Sequence, residues 1–305
     1  MTNDRPAHGI GRLITPIVTP FKPNGDVDYE QAQNLARAMI ETGSDGVIVS
    51  ATTGEAPTLT RDEKLNLFRG VKEAIGSSGK VLAGTSTYST AESVELSREA
   101  QHCGVDGLLL VVPYYNRPSQ EGIFRHFEAI SSAVDLPCML YNIPSRTATE
   151  MSVETTVRCA RIPNIVGVKD ATGKLDNMAR TIAEAGPEFS LWSGDDSMTL
   201  PLLSVGGYGV VCTCANIVGR QMRSIIDAYV AGHVDEAAST HRRLLPLMSI
   251  LMTVAANPVP IKHAMNKLGF EVGGVRLPLV DLDAAASSTL LAELRRHQID
   301  LPVSV

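Results

Sequence analysis

"GVIVSATTGEAPTLTRDEKLNLFRGVKEAI", residues 46–75, contains one whole building unit of this chain. Gly46–Ser50 is a short, almost uninterrupted apolar run, the pattern of a strand buried on both faces. Residues 60–75 then switch to helical periodicity, opened by Thr60 and Glu63 at the spacing of a capping box. A strand followed by an amphipathic helix makes the next strand parallel to the first.

The unit recurs in both directions along the chain. Strands are predicted at Leu13–Val18, Gly46–Ser50, Val81–Gly84, Gly107–Val112, Cys138–Tyr141, Ile165–Lys169, Phe189–Ser193 and Gly209–Thr213. Helical patterns lie between them, including 90–103, where Thr90 reads as the N-cap. Eight such repeats favour a closed (β/α)8 barrel of the α/β class over an open doubly wound sheet with a second domain. "GGYGVV" at 206–211 does not revive the open sheet, because it precedes its strand where a dinucleotide loop must follow one. After residue 232 the strands stop. Residues 233–255, 258–270 and the stretch ending near 297 read as helices, so 1–232 is the expected barrel and 233–305 an all-helical extension packed on it. "QIDLPVSV" closes the chain with no pattern that says whether it packs.

Bulk properties narrow the function. The 305 residues are 44% hydrophobic and 20% charged, with mean hydropathy +0.05, enough for a large core. A net charge of −6 and a pI near 5.7 argue against general affinity for nucleic acid or an anionic membrane surface. No apolar run approaches a membrane span, and "MTNDRPAHGIGRL" lacks the apolar core of a signal peptide. Five cysteines in no framework spacing suit a reducing cytoplasm, and Cys212-x-Cys214 reads as strand packing, since no second ligand pair flanks it for a metal.

Barrel chemistry belongs at the C-terminal ends of strands. There the sequence offers "SATTGE" at 50–55, "PYYNRP" at 113–118, "YNIPSR" at 141–146, and Lys169 at the end of Ile165-Val166-Gly167-Val168. A strand-end lysine ordinarily reaches solvent. The other lysines, at 22, 64, 72, 80, 174, 262 and 267, sit in polar helices, turns or helix starts, whereas Lys169 alone ends an apolar run. Burial there would favour the neutral amine, the form that attacks a ketone to make a Schiff base. Tyr141 and Tyr115 could pass a proton, and Thr52 and Thr53 could present hydroxyls and turn N–H groups to a carboxylate. Arg146 could grip a second carboxylate.

In that order these motifs, "ATTGEAPTLTRDE", "PYYNRPSQEGIFRHF", "YNIPSRT", "GVKDATG" and "SGDD", resemble the dihydrodipicolinate synthase / N-acetylneuraminate lyase family of class I aldolases. The likeness runs from "TPIVTPF" at 15–21 to "NPVPIKHAMNKLG" at 257–269. It implies Lys169 as the Schiff-base lysine, Tyr141 as proton donor and acceptor, and Thr52 with Tyr115 as its relay. By the same resemblance Thr53, Val211 and Gly194 contact pyruvate, and Arg146 the acceptor aldehyde's carboxylate. The chemistry would need neither metal nor organic cofactor. Tyr115 would reach a neighbouring subunit's site within a homotetramer built from two tight dimers.

Within the family, Thr52 with Arg146 favours the branch that condenses pyruvate with L-aspartate 4-semialdehyde for diaminopimelate and lysine biosynthesis. The alternative is aldol cleavage of 4-hydroxy-2-oxoglutarate, 2-keto-3-deoxy sugar acids or N-acetylneuraminate. A non-catalytic oxo-acid sensor would have been signalled by loss of Lys169, Tyr141 or Thr52. A phosphate-binding barrel would need "GGYGV" as its anion loop, although these glycines suit close backbone approach at the pyruvate site better. Ala56, Arg61, Lys64 and Tyr88 depart from the family's lysine-inhibition pocket, although Glu92 and Tyr114 fit it; the two added cations predict weak or absent inhibition by lysine.

Overall fold

The computed structural model describes residues 9–302 and shows eight parallel strands closed into a barrel in chain order. They are β1 (Leu13–Pro16), β2 (Gly46–Val49), β3 (Lys80–Gly84), β4 (Gly107–Val111), β5 (Cys138–Asn142), β6 (Ile165–Asp170), β7 (Ser190–Ser193) and β8 (Gly209–Val211). β8 returns to β1, pairing Leu13 with Val210 and Ile14 with Val211. Every expected run becomes a strand. β1, β2 and β8 stop short of Val18, Ser50 and Thr213, because there the backbone leaves the ladder to build loops around the barrel mouth. The opening residues, read above for a leader, and the last three of "QIDLPVSV" lie outside the described part.

Both faces of the sheet are buried, as the near-continuous apolar runs require. Ile14, Ile48, Leu82, Leu109, Met139, Val166, Trp192 and Val211 fill the barrel interior. Val47, Val49, Val81, Leu108, Leu110, Leu140 and Val168 belong to the larger core shared with the surrounding helices. Thr60 and Glu63 form the expected capping box on the helix Arg61–Ile75. The next helix differs from expectation by one residue. Ser89 is its N-cap, accepting from Glu92 N, while the Thr90 hydroxyl is bonded to His126 Nδ1 at 2.9 Å.

The extension forms helices Val234–Thr253, Val259–Lys267 and Ala284–Leu294. Leu244, Leu247, Met248 and Leu251 join Ile217, Met222 and Ile225 in the same core as the barrel's outer face. The terminal segment packs too: Leu301 is buried and its N–H reaches Ile217 O. Cys212 and Cys214 are buried free thiols just beyond the end of β8, Cys214 at the N-cap position of the helix Ala215–Val230 without a side-chain cap bond, so neither lies on the strand itself. Burial pushes both thiols well up.

One irregularity sets the site. Opposite Cys138 and Met139, β6 presents Ile165 and Gly167, so Val166 is an extra residue with no partner of its own on β5. Strict alternation would place Val166 and Val168 on one face. Instead Val166 faces the interior and Val168 the helices, so the bulge reverses the phase and turns Lys169 inward. Gly167 makes this possible, because a Cβ there would stand 2.2 Å from Ser190 O and 2.5 Å from Trp192 Cζ3.

Candidate active site

β6 delivers Lys169 into the upper barrel, in register between Tyr141 on β5 and Trp192 on β7. The residue is 5% exposed, and its Nζ lies 4.0 Å from the centroid of the Tyr141 ring. Among the described residues its amine has no ion pair and no hydrogen bond. Burial lowers its pKa to about 7, with Asp196 opposing the shift and Arg146 and Cys212 contributing less. A large share of the amine is therefore unprotonated at neutral pH, which an ordinary lysine is not.

Tyr141 is buried, and that burial raises its phenol to about 12 against the pull of Arg146 and a hydrogen bond with Thr52. At neutral pH this hydroxyl keeps its proton and serves as a donor. Thr52 and Thr53 stand in the loop after β2, whose backbone takes left-handed conformations at Ser50 (φ 58°) and Glu55 (φ 54°). For residues other than glycine these are uncommon and cost free energy, so other contacts must hold them. Glu55 N bonds back to Thr52 O, Thr19 Oγ1 donates to Gly54 O at 2.6 Å, and Asn257 Nδ2 donates to Thr53 Oγ1 at 3.0 Å.

Arg146 follows β5 in the short helix Pro144–Thr147. It forms no ion pair among the described residues and donates from Nη2 to Asn257 O at 3.2 Å, leaving its other donors open to an anion. Val211 ends β8 inside the barrel. Gly194 follows β7, and a Cβ there would come within 3.1 Å of Lys169 Cγ and Cε and 2.8 Å of Ala171 Cβ. It is thus the seat of the Lys169 stem. Tyr115, in the loop after β4, makes no contact with the other candidate residues of its own chain and projects into solvent, 90% exposed, at φ 71°.

Two features escaped the sequence. Lys262, grouped above with the polar lysines, is as deeply buried as Lys169, so an apolar lead-in does not distinguish the two. Their difference is pairing: Lys262 Nζ donates to Glu55 Oε1 and Thr19 O, both at 2.9 Å. Burial lowers its pKa and Glu55 counters this. Asp196, next but one to Gly194 in "SGDD", is also buried and accepts from the N–H groups of Thr213 and Cys214 at 3.0 and 2.7 Å. Its pKa rises to about 6 through burial, and its charge is the strongest electrostatic influence on Lys169. A second acid in the motif was the available signal; for Lys262 there was none.

The site therefore combines an inward, unpaired, weakly protonated amine with a phenol in register beside it, a threonine pair and an unpaired guanidinium. Comparison with known proteins agrees with that chemistry. Residues 9–297 match the family described as the Dihydrodipicolinate synthetase family. A 4-hydroxy-tetrahydrodipicolinate synthase from Dehalococcoides mccartyi is 52% identical over 294 residues, 96% of this chain and 99% of that one. The crystal structure of a Cyanidioschyzon merolae dihydrodipicolinate synthase with lysine bound superimposes with TM-score 0.92 at 46% identity, covering 94% and 98% of the two chains. A structure described as the first monomeric dihydrodipicolinate synthase variant gives TM-score 0.92 at 36% identity, covering 96% and 98%.

Proposed function

The chain belongs to the Dihydrodipicolinate synthetase family, and from that premise we propose that its barrel mouth condenses pyruvate with L-aspartate 4-semialdehyde, with Lys169 as the Schiff-base amine. It is a lyase of the class I aldolase type, acting in diaminopimelate and lysine biosynthesis. The observation that carries the residue assignment is Lys169 itself, buried, turned inward and without an anion at its amine.

The neutral amine of Lys169 attacks C2 of pyruvate. Tyr141, protonated throughout the neutral range, donates to the departing oxygen, and loss of water leaves a cationic imine. That cation makes C3 acidic, and its proton leaves through the hydroxyl chain Tyr141, Thr52 and Tyr115. The resulting enamine attacks the aldehyde carbon of the semialdehyde, whose carboxylate Arg146 holds. The amino group of that substrate then adds to C2, closes the ring and releases Lys169. Thr53 holds the pyruvate carboxylate, and Val211 and Gly194 line its pocket.

Tyr115 enters this relay from a partner chain. Its 90% exposure and left-handed backbone, which present the phenol outward, support a role in a neighbouring site. We infer a dimer of this kind, paired into a tetramer. Five free cysteines, and the absence among the described residues of a helix long and apolar enough to cross a membrane, support a cytoplasmic setting.

The test is turnover of pyruvate with aspartate semialdehyde, coupled to reduction of the product, alongside borohydride trapping of pyruvate read by mass spectrometry. Turnover with an adduct on Lys169 is expected. An adduct without turnover would assign the lysine chemistry to another aldehyde, and no adduct would remove the mechanism.

A further inference from the structure

A threonine hydroxyl holds a carboxylate only if its hydrogen points at it, and that depends on what else bonds the oxygen. Thr53 is sealed from solvent, and its Oγ1 accepts from Asn257 Nδ2 at 3.0 Å. With one lone pair occupied by that N–H, the hydroxyl hydrogen remains free to donate elsewhere. Asn257 also gives its main-chain carbonyl to Arg146 Nη2 at 3.2 Å. One residue from the helical extension thus touches both groups that would face an anionic substrate.

The attachment is firm for a second, separate reason. Asn257 lies just ahead of the helix Val259–Lys267, and Lys262 of that helix is bonded to Glu55, two residues beyond Thr53 in the same loop. The extension and the loop after β2 are therefore tied at two points. Asn257 Oδ1 is buried with no partner among the described residues. An acceptor left unpaired in a protein interior is costly, and such atoms are kept where another need outweighs the cost. Here the need is the donor at the other end of the amide.

We propose that Asn257 is a positioning residue for pyruvate binding, which orients the Thr53 hydroxyl as a donor to the substrate carboxylate. This rests on the reading of Thr53 as a pyruvate contact. The Asn257→Asp variant, of the same shape, reverses the polarity: its carboxylate takes the Thr53 hydrogen and repels the substrate's own charge.

The experiment compares KM for each substrate in Asn257→Ala, Asn257→Asp, Thr53→Ala and the Thr53→Ala/Asn257→Ala double variant, with thermal unfolding as a control for folding. Asn257→Ala should raise the pyruvate KM about tenfold, as loss of one hydrogen bond would, and Asn257→Asp should raise it further. The KM for aspartate semialdehyde should change less than about twofold, because the main-chain carbonyl to Arg146 remains. The double variant should bind pyruvate no worse than Thr53→Ala alone, since Asn257 acts only through that hydroxyl. An unchanged pyruvate KM in folded Asn257→Asp, or additive losses in the double variant, would overturn the proposal. Wild-type protein that traps no pyruvate would strike the functional reading itself, whereas trapping by wild type with unaltered variants strikes only Asn257.

Discussion

Lys262 Nζ stands 2.9 Å from Glu55 Oε1, with 2% of one side chain and 1% of the other open to solvent. Glu55 also accepts the Arg276 N–H at 2.9 Å, so the pair fastens three distant parts of the chain. Two lysines are buried among the described residues, and this one is neutralised by its partner. The other, Lys169, is left to lose its proton.

Breaking the pair from one side should be severe. Lys262→Met leaves a carboxylate buried without its cation, which typically costs about 3–5 kcal/mol. Adding Glu55→Gln removes that orphaned charge, and about half of the loss should return. Chemical denaturation of the single and double variants against wild type measures both. A loss below about 1 kcal/mol for Lys262→Met would mean that the Arg276 N–H satisfies Glu55 unaided.

With a pKa of about 7, Lys169 should give a pyruvate-trapping rate that climbs from pH 6 to 8 and flattens by pH 9. An ordinary lysine would keep climbing toward about 10.4. The sign for stability is the reverse of a helpful charge. Between about 7 and the unfolded value of 10.5, the folded chain binds fewer protons than the unfolded one, so stability rises with pH across that window. Lys169→Met should therefore abolish trapping while stabilising the fold at pH 7 by about a few kcal/mol, a gain that fades toward pH 10. Unfolding curves at pH 7 and 10 decide it; a destabilised variant at pH 7 would contradict the prediction.

Gly194→Ala places a methyl group 3.1 Å from two carbons of the Lys169 stem. The amine must shift, and misplacement of about 1 Å costs on the order of a hundredfold in rate. The adduct yield under limiting borohydride should fall at least about tenfold, and the same methyl group, 2.8 Å from Ala171 Cβ, should lower the melting temperature by a few degrees without unfolding the protein. Undiminished trapping would show that the stem can slide without harm.

Tyr115 lends itself to complementation. Tyr115→Phe and Lys169→Ala homo-oligomers should each be nearly inactive, but mixed oligomers pair an intact Lys169 with an intact Tyr115 across the interface. Activity should return when the two are unfolded and refolded together. If Tyr115 acted within its own chain, mixing would restore nothing.

Inhibition by lysine should be weak, for a reason narrower than sequence suggested. Arg61 is bonded to Glu99 at 2.7 Å and to Glu95 at 3.3 Å, so its charge is largely spent. Lys64 is the cation that matters: it is half-buried and makes no ion pair among the described residues, although burial, partly offset by Glu92, lowers its pKa. Lys64→His should sharpen inhibition in a lysine titration, and Arg61→His should do little. Strong inhibition of the wild type by millimolar lysine would remove the idea.

Sequence alone determined the repeating strand and helix units, hence the barrel, and it marked Lys169, Tyr141, Thr52 and Arg146, because strand ends are read from local patterns of apolar residues. It could not determine which way Lys169 points. Facing depends on register between strands, and the extra Val166 in β6 is visible only against β5. Nor could it show that Lys262 is buried or that Asn257 meets Thr53, partners 204 positions apart in the chain. Local chemistry fixes what a segment is; the packing of distant segments fixes which of its groups are stripped of water, paired or left reactive.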